Sequence, residues 1–112
     1  MSILENAKQH YKDALSKEPL KLDVPEWDAV VYVRPKISLE KAGEILELAQ
    51  SGKTAEAMAM TLVLRLIDES GQPLFRRADK VTLLKSVDPE VMGRIVNEIN
   101  EFDPSAEEVE GN

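Results

Sequence analysis

Apolar residues recur with two different periods along this chain. Between Ser2 and Lys17, Ile3, Ala7, Tyr11 and Ala14 fall on one helical face, which Leu4 and Leu15 widen. Ser2 and Glu5 form a capping-box pair ahead of this helix, and Pro19 closes it because proline cannot extend the hydrogen-bond ladder. The period then changes to two. Leu20-Lys21-Leu22-Asp23-Val24 alternates apolar and polar, as a half-buried strand does. Pro25-Glu26-Trp27-Asp28 interrupts it, and the β-branched run Ala29-Val30-Val31-Tyr32-Val33-Arg34 predicts a second strand. The two make a hairpin near residues 20–34. An isolated hairpin is marginal in water, so this one is expected to pack on the helices or pair with another edge.

The helical period returns after Ser38, a capping residue ahead of Ala42, Ile45, Leu46 and Ala49; Ser51-Gly52 ends that segment. Thr54 starts the next helix. From Ala57 to Ile67 its only charge is Arg65, so this segment belongs at the centre of the domain. Asp68-Glu69-Ser70-Gly71-Gln72-Pro73 reads as a turn, after which Leu74-Phe75 is expected to re-enter the core. Arg76-Arg77-Ala78-Asp79 leads into a short helix carrying Val81, Leu83, Leu84 and Val87. Asp88-Pro89-Glu90 is a helix start, with a capping acid, proline at the first helical position and an acid in the first turn. Val91, Ile95, Ile99 and Phe102 follow at helical spacing, with Met92 and Val96 beside them. The order is helix, hairpin, four helices: an α+β domain, mostly α-helical, with a small antiparallel β-hairpin after the first helix.

Charge divides the chain unevenly. Its 112 residues, one domain's length, carry 21 acids and 14 bases. Six of those acids and no base lie between Ile95 and Asn112, leaving residues 1–94 nearly neutral. Residues 1–102 are read as the compact domain. Residues 103–112, with four acids and only Ala106 and Val109 apolar, are read as an acidic disordered tail with too little to bury. The acidic balance argues against nucleic acid as a partner, because phosphate binding needs clustered Lys and Arg. No apolar run is long enough to span a membrane, and the N-terminus lacks the plan of a signal peptide, so a cytoplasmic protein is expected.

The chemistry-bearing residues are few. With no Cys there is no disulfide, no thiolate nucleophile and no Cys-based metal site. The single histidine, His10, lies mid-helix with no activated nucleophile at a recognised spacing. The glycines form no phosphate-cradling loop, and Asp68-Glu69 lacks the alternating ligands of a Ca²⁺ loop. No catalytic, cofactor-binding or metal-binding residue is assigned, and no enzyme activity is expected. Trp27 reads either as a lid over the hairpin's apolar face or as an interface anchor, since Trp is enriched at binding hot spots. Arg76-Arg77 is a small basic pair, too small for a nucleic-acid patch, and Met58 with Met60 reads as core filler.

Four segments together resemble the tail assembly chaperones of long-tailed double-stranded-DNA bacteriophages and prophages. They are Val24-Pro25-Glu26-Trp27 with Val31-Tyr32-Val33-Arg34-Pro35; the apolar helix running into Leu66-Ile67-Asp68-Glu69-Ser70-Gly71-Gln72-Pro73-Leu74-Phe75; Ala78-Asp79 with Asp88-Pro89-Glu90-Val91; and a last helix with an acidic end. The resemblance implies a protein that coats and solubilises the tape measure protein in the host bacterial cytoplasm. It promotes polymerisation of the tail tube around that client and is absent from the mature virion. It also implies a longer form, made by ribosomal frameshifting, that contacts the tail tube protein. Glu110-Gly111-Asn112 can be encoded as GAG-GGA-AAC, which contains a slippery heptamer. Many copies along one client imply self-association. The resemblance brings no catalytic residues. The hairpin with Trp27, Tyr32 and Arg34 is the expected partner-binding surface.

Three other readings stand beside this one. A structural adaptor or completion subunit would stay in the phage particle. An acidic inhibitor mimicking DNA would need acids spread over a folded face, whereas here they cluster at one end. A small hydrolase would depend on His10.

Overall fold

The computed structural model describes residues 2–103. Helix α1 spans Ile3–Leu15, strand β1 Leu20–Val24, strand β2 Ala29–Val33, helix α2 Leu39–Gln50, helix α3 Thr54–Arg65 and strand β3 Leu66–Ile67. Helices α4 (Lys80–Ser86) and α5 (Pro89–Phe102) complete the chain, and short 3-10 turns cover Pro25–Trp27 and Arg77–Asp79. This is the expected α+β domain, mostly helical. The residues read as an acidic disordered tail lie outside the described residues from 104 onward. Asp103, assigned to that tail by composition, is instead a buried residue of the domain.

The sheet holds one strand more than the hairpin the sequence predicts. β1 and β2 pair antiparallel, with Leu22 opposite Val31 and Lys21 opposite Tyr32, and β2 pairs on its other side with β3 through Val33–Leu66 and Tyr32–Ile67. The apolar run from Ala57 to Ile67 therefore leaves helical geometry at Leu66, whose backbone is extended. Asp28 closes the β1–β2 turn in a left-handed conformation, φ 50°, which a short polar side chain tolerates. Gly71, at φ 91°, closes the turn after β3, where Asp68 Oδ1 accepts from Ser70 N, Ser70 Oγ and Gln72 N. Leu74 is a correction to the expected core: it stays exposed, and only Phe75 packs inward.

The core forms where α3 and α5 meet the inward face of the sheet. Leu62, Leu66, Ile95, Ile99, Val24 and Val33 are fully buried, each contributing roughly 1.5–3 kcal/mol by leaving water. α3 is buried on nearly every side, as its composition requires, and Thr61 satisfies its hydroxyl by donating to Ala57 O at 2.9 Å. α5 begins as expected: Asp88 Oδ1 accepts from Glu90 N at 2.9 Å, with Pro89 in the first turn.

Helix α1 departs from this scheme. Ser2 Oγ caps it by accepting from Glu5 N at 3.1 Å, but Ala14 is its one buried residue. Ile3, Leu4, Tyr11 and Leu15 are all exposed, Ile3 to 86%. The helix makes little contact with the other elements.

Candidate functional site

Of the three residues expected to bind a partner, Tyr32 lies in β2, Arg34 directly follows it and Trp27 lies in the turn before it. Val31 and Val33 point into the core, so Val30 and Tyr32 face outward with Lys21 and Asp23 of β1 opposite them. Tyr32 lies in a groove of about 370 Å³. Glu18 and Pro19, which link α1 to β1, form one wall; Ile67 and the Asp68–Gly71 turn form the other. Asp68 there is held below the usual carboxylate range, chiefly by the Ser70 hydrogen bond and then by Gln72 N, so this rim is firmly anionic.

Trp27 sits elsewhere. It packs against the core, and its ring meets that of Phe75 edge-on, at 6.1 Å between centroids and 87° between planes. The adjacent Glu26 is clamped by Arg94 of α5 through a bidentate pair at 2.6 and 2.8 Å. The Arg94 hydrogen bonds draw the Glu26 pKa down from 4.5 to about 2. The hairpin turn is thus fastened to the body on both sides of its tip.

Arg34 follows β2 and works through its backbone as well as its side chain. Its N–H donates to Arg65 O, and its carbonyl accepts from Arg65 Nη2, both at 2.9 Å. Its side chain lines a second cleft, floored by Val63, Leu64 and Phe75 and edged by Lys41, Arg76 and Arg77. The structure therefore puts Arg34 in one cleft, together with the Phe75 on which Trp27 packs, and Tyr32 in a different groove. Sequence reasoning found the α1 stripe but gave no sign that it stays uncovered. It missed the Arg65–Asp103 contact, although a lone charge in an apolar helix signals a buried partner.

Among the described residues no three His, Asp or Glu side chains are grouped to hold a metal ion, and no helix is long and apolar enough to cross a membrane. A family model described as "Phage tail assembly chaperone, TAC" matches residues 3–103. The chain belongs to the phage tail assembly chaperone family. A solved structure described as that of the bacteriophage HK97 tail assembly chaperone shares its fold, with a TM-score of 0.62 over 86% of this chain and 94% of that one. The two sequences are 20% identical, so this likeness speaks to the fold. No curated protein matches the sequence. As a member of this family the protein is a chaperone of tail assembly, acts in the host cell while tails are built, and has tail proteins as its partners.

Proposed function

We propose that this chaperone holds the tape measure protein of its own phage as an extended helical client, and that the apolar face of α1 is the surface that receives it. The observation that carries this reading is the exposure of Ile3, Leu4, Tyr11 and Leu15 on a helix that gives only Ala14 to the core. Apolar residues on one helical stripe pack against a second amphipathic helix, ridge into groove, and a client that offers such helices repeatedly would engage many copies. The protein acts by binding and not by catalysis. In the same reading it works in the host cytoplasm and leaves before the virion is complete. Self-association along the client and a frameshift-extended form that reaches the tail tube protein belong to this proposal too. Trp27, packed on Phe75, and Arg34, in the separate cleft, support the hairpin's position instead of meeting the client first.

Co-expression with the tape measure protein tests the client and the surface together. The wild-type protein should keep the tape measure protein soluble and co-purify with it. The double variant Leu4→Ser with Leu15→Ser should lose both effects while its circular dichroism and melting curve stay unchanged. Undiminished binding by that variant would remove α1 from the site. Mass spectrometry of purified particles addresses release: the protein in stoichiometric amounts there would favour a retained adaptor.

A further inference from the structure

The sheet has one open edge. β3 is closed on its outer side by its own chain, where Leu74 N donates to Leu66 O at 3.2 Å and Asp68 N to Gln72 O at 2.8 Å. β1, at the other edge, pairs with β2 alone. Which of its backbone groups face out follows from the far side of β2. Arg34 N donates to Arg65 O, in register with the β2–β3 pairs. Backbone groups alternate sides along a strand, so Tyr32 and Val30 direct theirs towards β3, and Val31 and Val33 direct theirs towards β1. Leu22 and Leu20, opposite Val31 and Val33, therefore bond β2, and the N–H and C=O of Lys21 and Asp23 face away from the sheet. Among the described residues these groups bond nothing, and neither side chain forms an ion pair.

This edge is selective. Pro19 and Pro25 flank it in the same outward phase, and proline has no N–H to offer a neighbour. A second β1 strand, antiparallel across a two-fold axis, can set its outward residues against these in three registers. Lys21 against Lys21, or Asp23 against Asp23, opposes like charges and leaves the remaining outward residue facing a proline. The third register sets Lys21 of each copy against Asp23 of the other, with Leu22 facing Leu22 on the axis. Both outward residues then exchange N–H and C=O with a full partner, and both charge pairs are of opposite sign. A groove of about 250 Å³ flanks the edge on the α5 side, and its charged lining, Lys21 and Arg94 against Asp23 and Glu98, is balanced in sign, as a surface that meets its own copy requires.

We propose that β1 pairs antiparallel with β1 of a second copy of this chain, Lys21 opposite Asp23, joining two three-stranded sheets into one. The pairing gives a defined interface to the self-association included in the function proposed above, and it rests on that part of the reading alone. It consumes the open edge of each copy, so it stops at a dimer. Five residues of strand bury little surface, so the dimer is weak in free solution and is strengthened where one client gathers many copies and raises their effective concentration.

The chain has no cysteine, so introduced ones report the register. Lys21→Cys protein mixed with Asp23→Cys protein should give the mixed disulfide in preference to either self-disulfide. A hydrogen-bonded pair sets Cα atoms about 5.5 Å apart, within disulfide reach, whereas the diagonal between two copies of position 21 is about 7–8 Å. Sedimentation equilibrium reads the charges. The wild type should show a monomer–dimer equilibrium over a concentration series, Lys21→Asp and Asp23→Lys should each stay monomeric, and a mixture of the two should associate. Leu4→Ser with Leu15→Ser should associate like the wild type. Cross-links without preference, a wild type that is monomeric throughout, or association undiminished by Lys21→Asp would overturn the proposal; association lost in the Leu4 and Leu15 variant would assign it to α1 instead. Client binding is read separately, since Lys21→Asp should still co-purify with the tape measure protein. Failed pairing with an intact client complex sinks only the β1 interface, and a mixed disulfide without client binding sinks only the client reading.

Discussion

Arg65 Nη1 donates to Asp103 Oδ2 at 3.2 Å, tying the last residue of α3 to the residue that caps the C-terminal end of α5. Both side chains are nearly sealed from water, at 3% and 7% exposure. Lys36 reaches the other carboxylate oxygen, and the Arg34 carbonyl accepts from Nη2, so the pair also anchors the loop between β2 and α2. Burial makes the Arg65 guanidinium less basic than usual, and Asp103 opposes that effect. Arg65 Nε has no hydrogen-bond partner among the described residues, so the network is not fully satisfied.

A buried pair of this kind is costly to break from one side, because the remaining charge cannot return to water. Arg65→Met should therefore destabilise the domain by about 3–5 kcal/mol. Urea unfolding should show this as a lower midpoint at unchanged slope. Replacing both partners, with Asp103→Leu added, should recover part of the loss. A single-variant effect within about 0.5 kcal/mol, the range of ordinary surface changes, would mean that the pair is not desolvated in solution.

The clamp between Glu26 and Arg94 makes a prediction with a definite sign in pH. The folded-state pKa of Glu26, about 2, lies below the ordinary 4.5, so the folded state favours the ionised carboxylate. Its contribution to stability is complete above pH 4.5 and is lost as pH falls through that window towards 2. Arg94→Gln should lower stability near neutral pH, and the gap between variant and wild type should close across the same window. Urea midpoints measured at a series of pH values would check this, and a gap that stays constant into acid would sink it.

How much of this was legible in the sequence depends on how local each signal is. The α5 start at Asp88-Pro89-Glu90 and the alternation of Leu20 to Val24 act within a few residues, and both appear where the pattern puts them. Strand β3 was not legible because Leu66-Ile67 prolongs the apolar run of α3, and a continuous apolar run cannot by itself separate strand from buried helix. Asp103 looked like tail because its partners, Lys36 and Arg65, lie 67 and 38 residues away in sequence. The face of α1 was legible, but whether anything covers it was not, since periodicity records the shape of a surface and not its occupant. For the same reason the separation of Tyr32 from Trp27 emerged only with the sheet's register and the Trp27–Phe75 contact.

Trp27 now has an explicit structural load. Full truncation of a buried Phe or Trp costs about 3–5 kcal/mol, and Trp27 is only partly buried, so Trp27→Ala should cost about 2 kcal/mol. Trp27→Phe should recover most of that by keeping an edge-on contact with Phe75. Thermal unfolding checks both. Unchanged stability in Trp27→Ala together with lost client binding would instead mark Trp27 as an interface anchor.

Helix α1 should be the first part of the fold to open. Its 13 residues are near the length at which an isolated helix is marginal in water, and Ala14 alone ties it into the core. What holds it is local: the Ser2 cap and the Gln9–Asp13 side-chain bond at 2.9 Å. Hydrogen exchange should therefore find α1 amides opening at far lower free energy than those of α3, which exchange through global unfolding. Lys8→Pro, which costs roughly 3 kcal/mol or more inside a helix, should melt α1 and leave the urea midpoint of the body where it was. A midpoint that falls with that variant would show α1 to be part of the cooperative unit. If α1 receives the client, adding a tape measure segment should slow exchange in α1 selectively, because a helix with one buried residue gains its missing packing from the partner. Protection that appears in α3 and α5 but not in α1 would place the client elsewhere on the body.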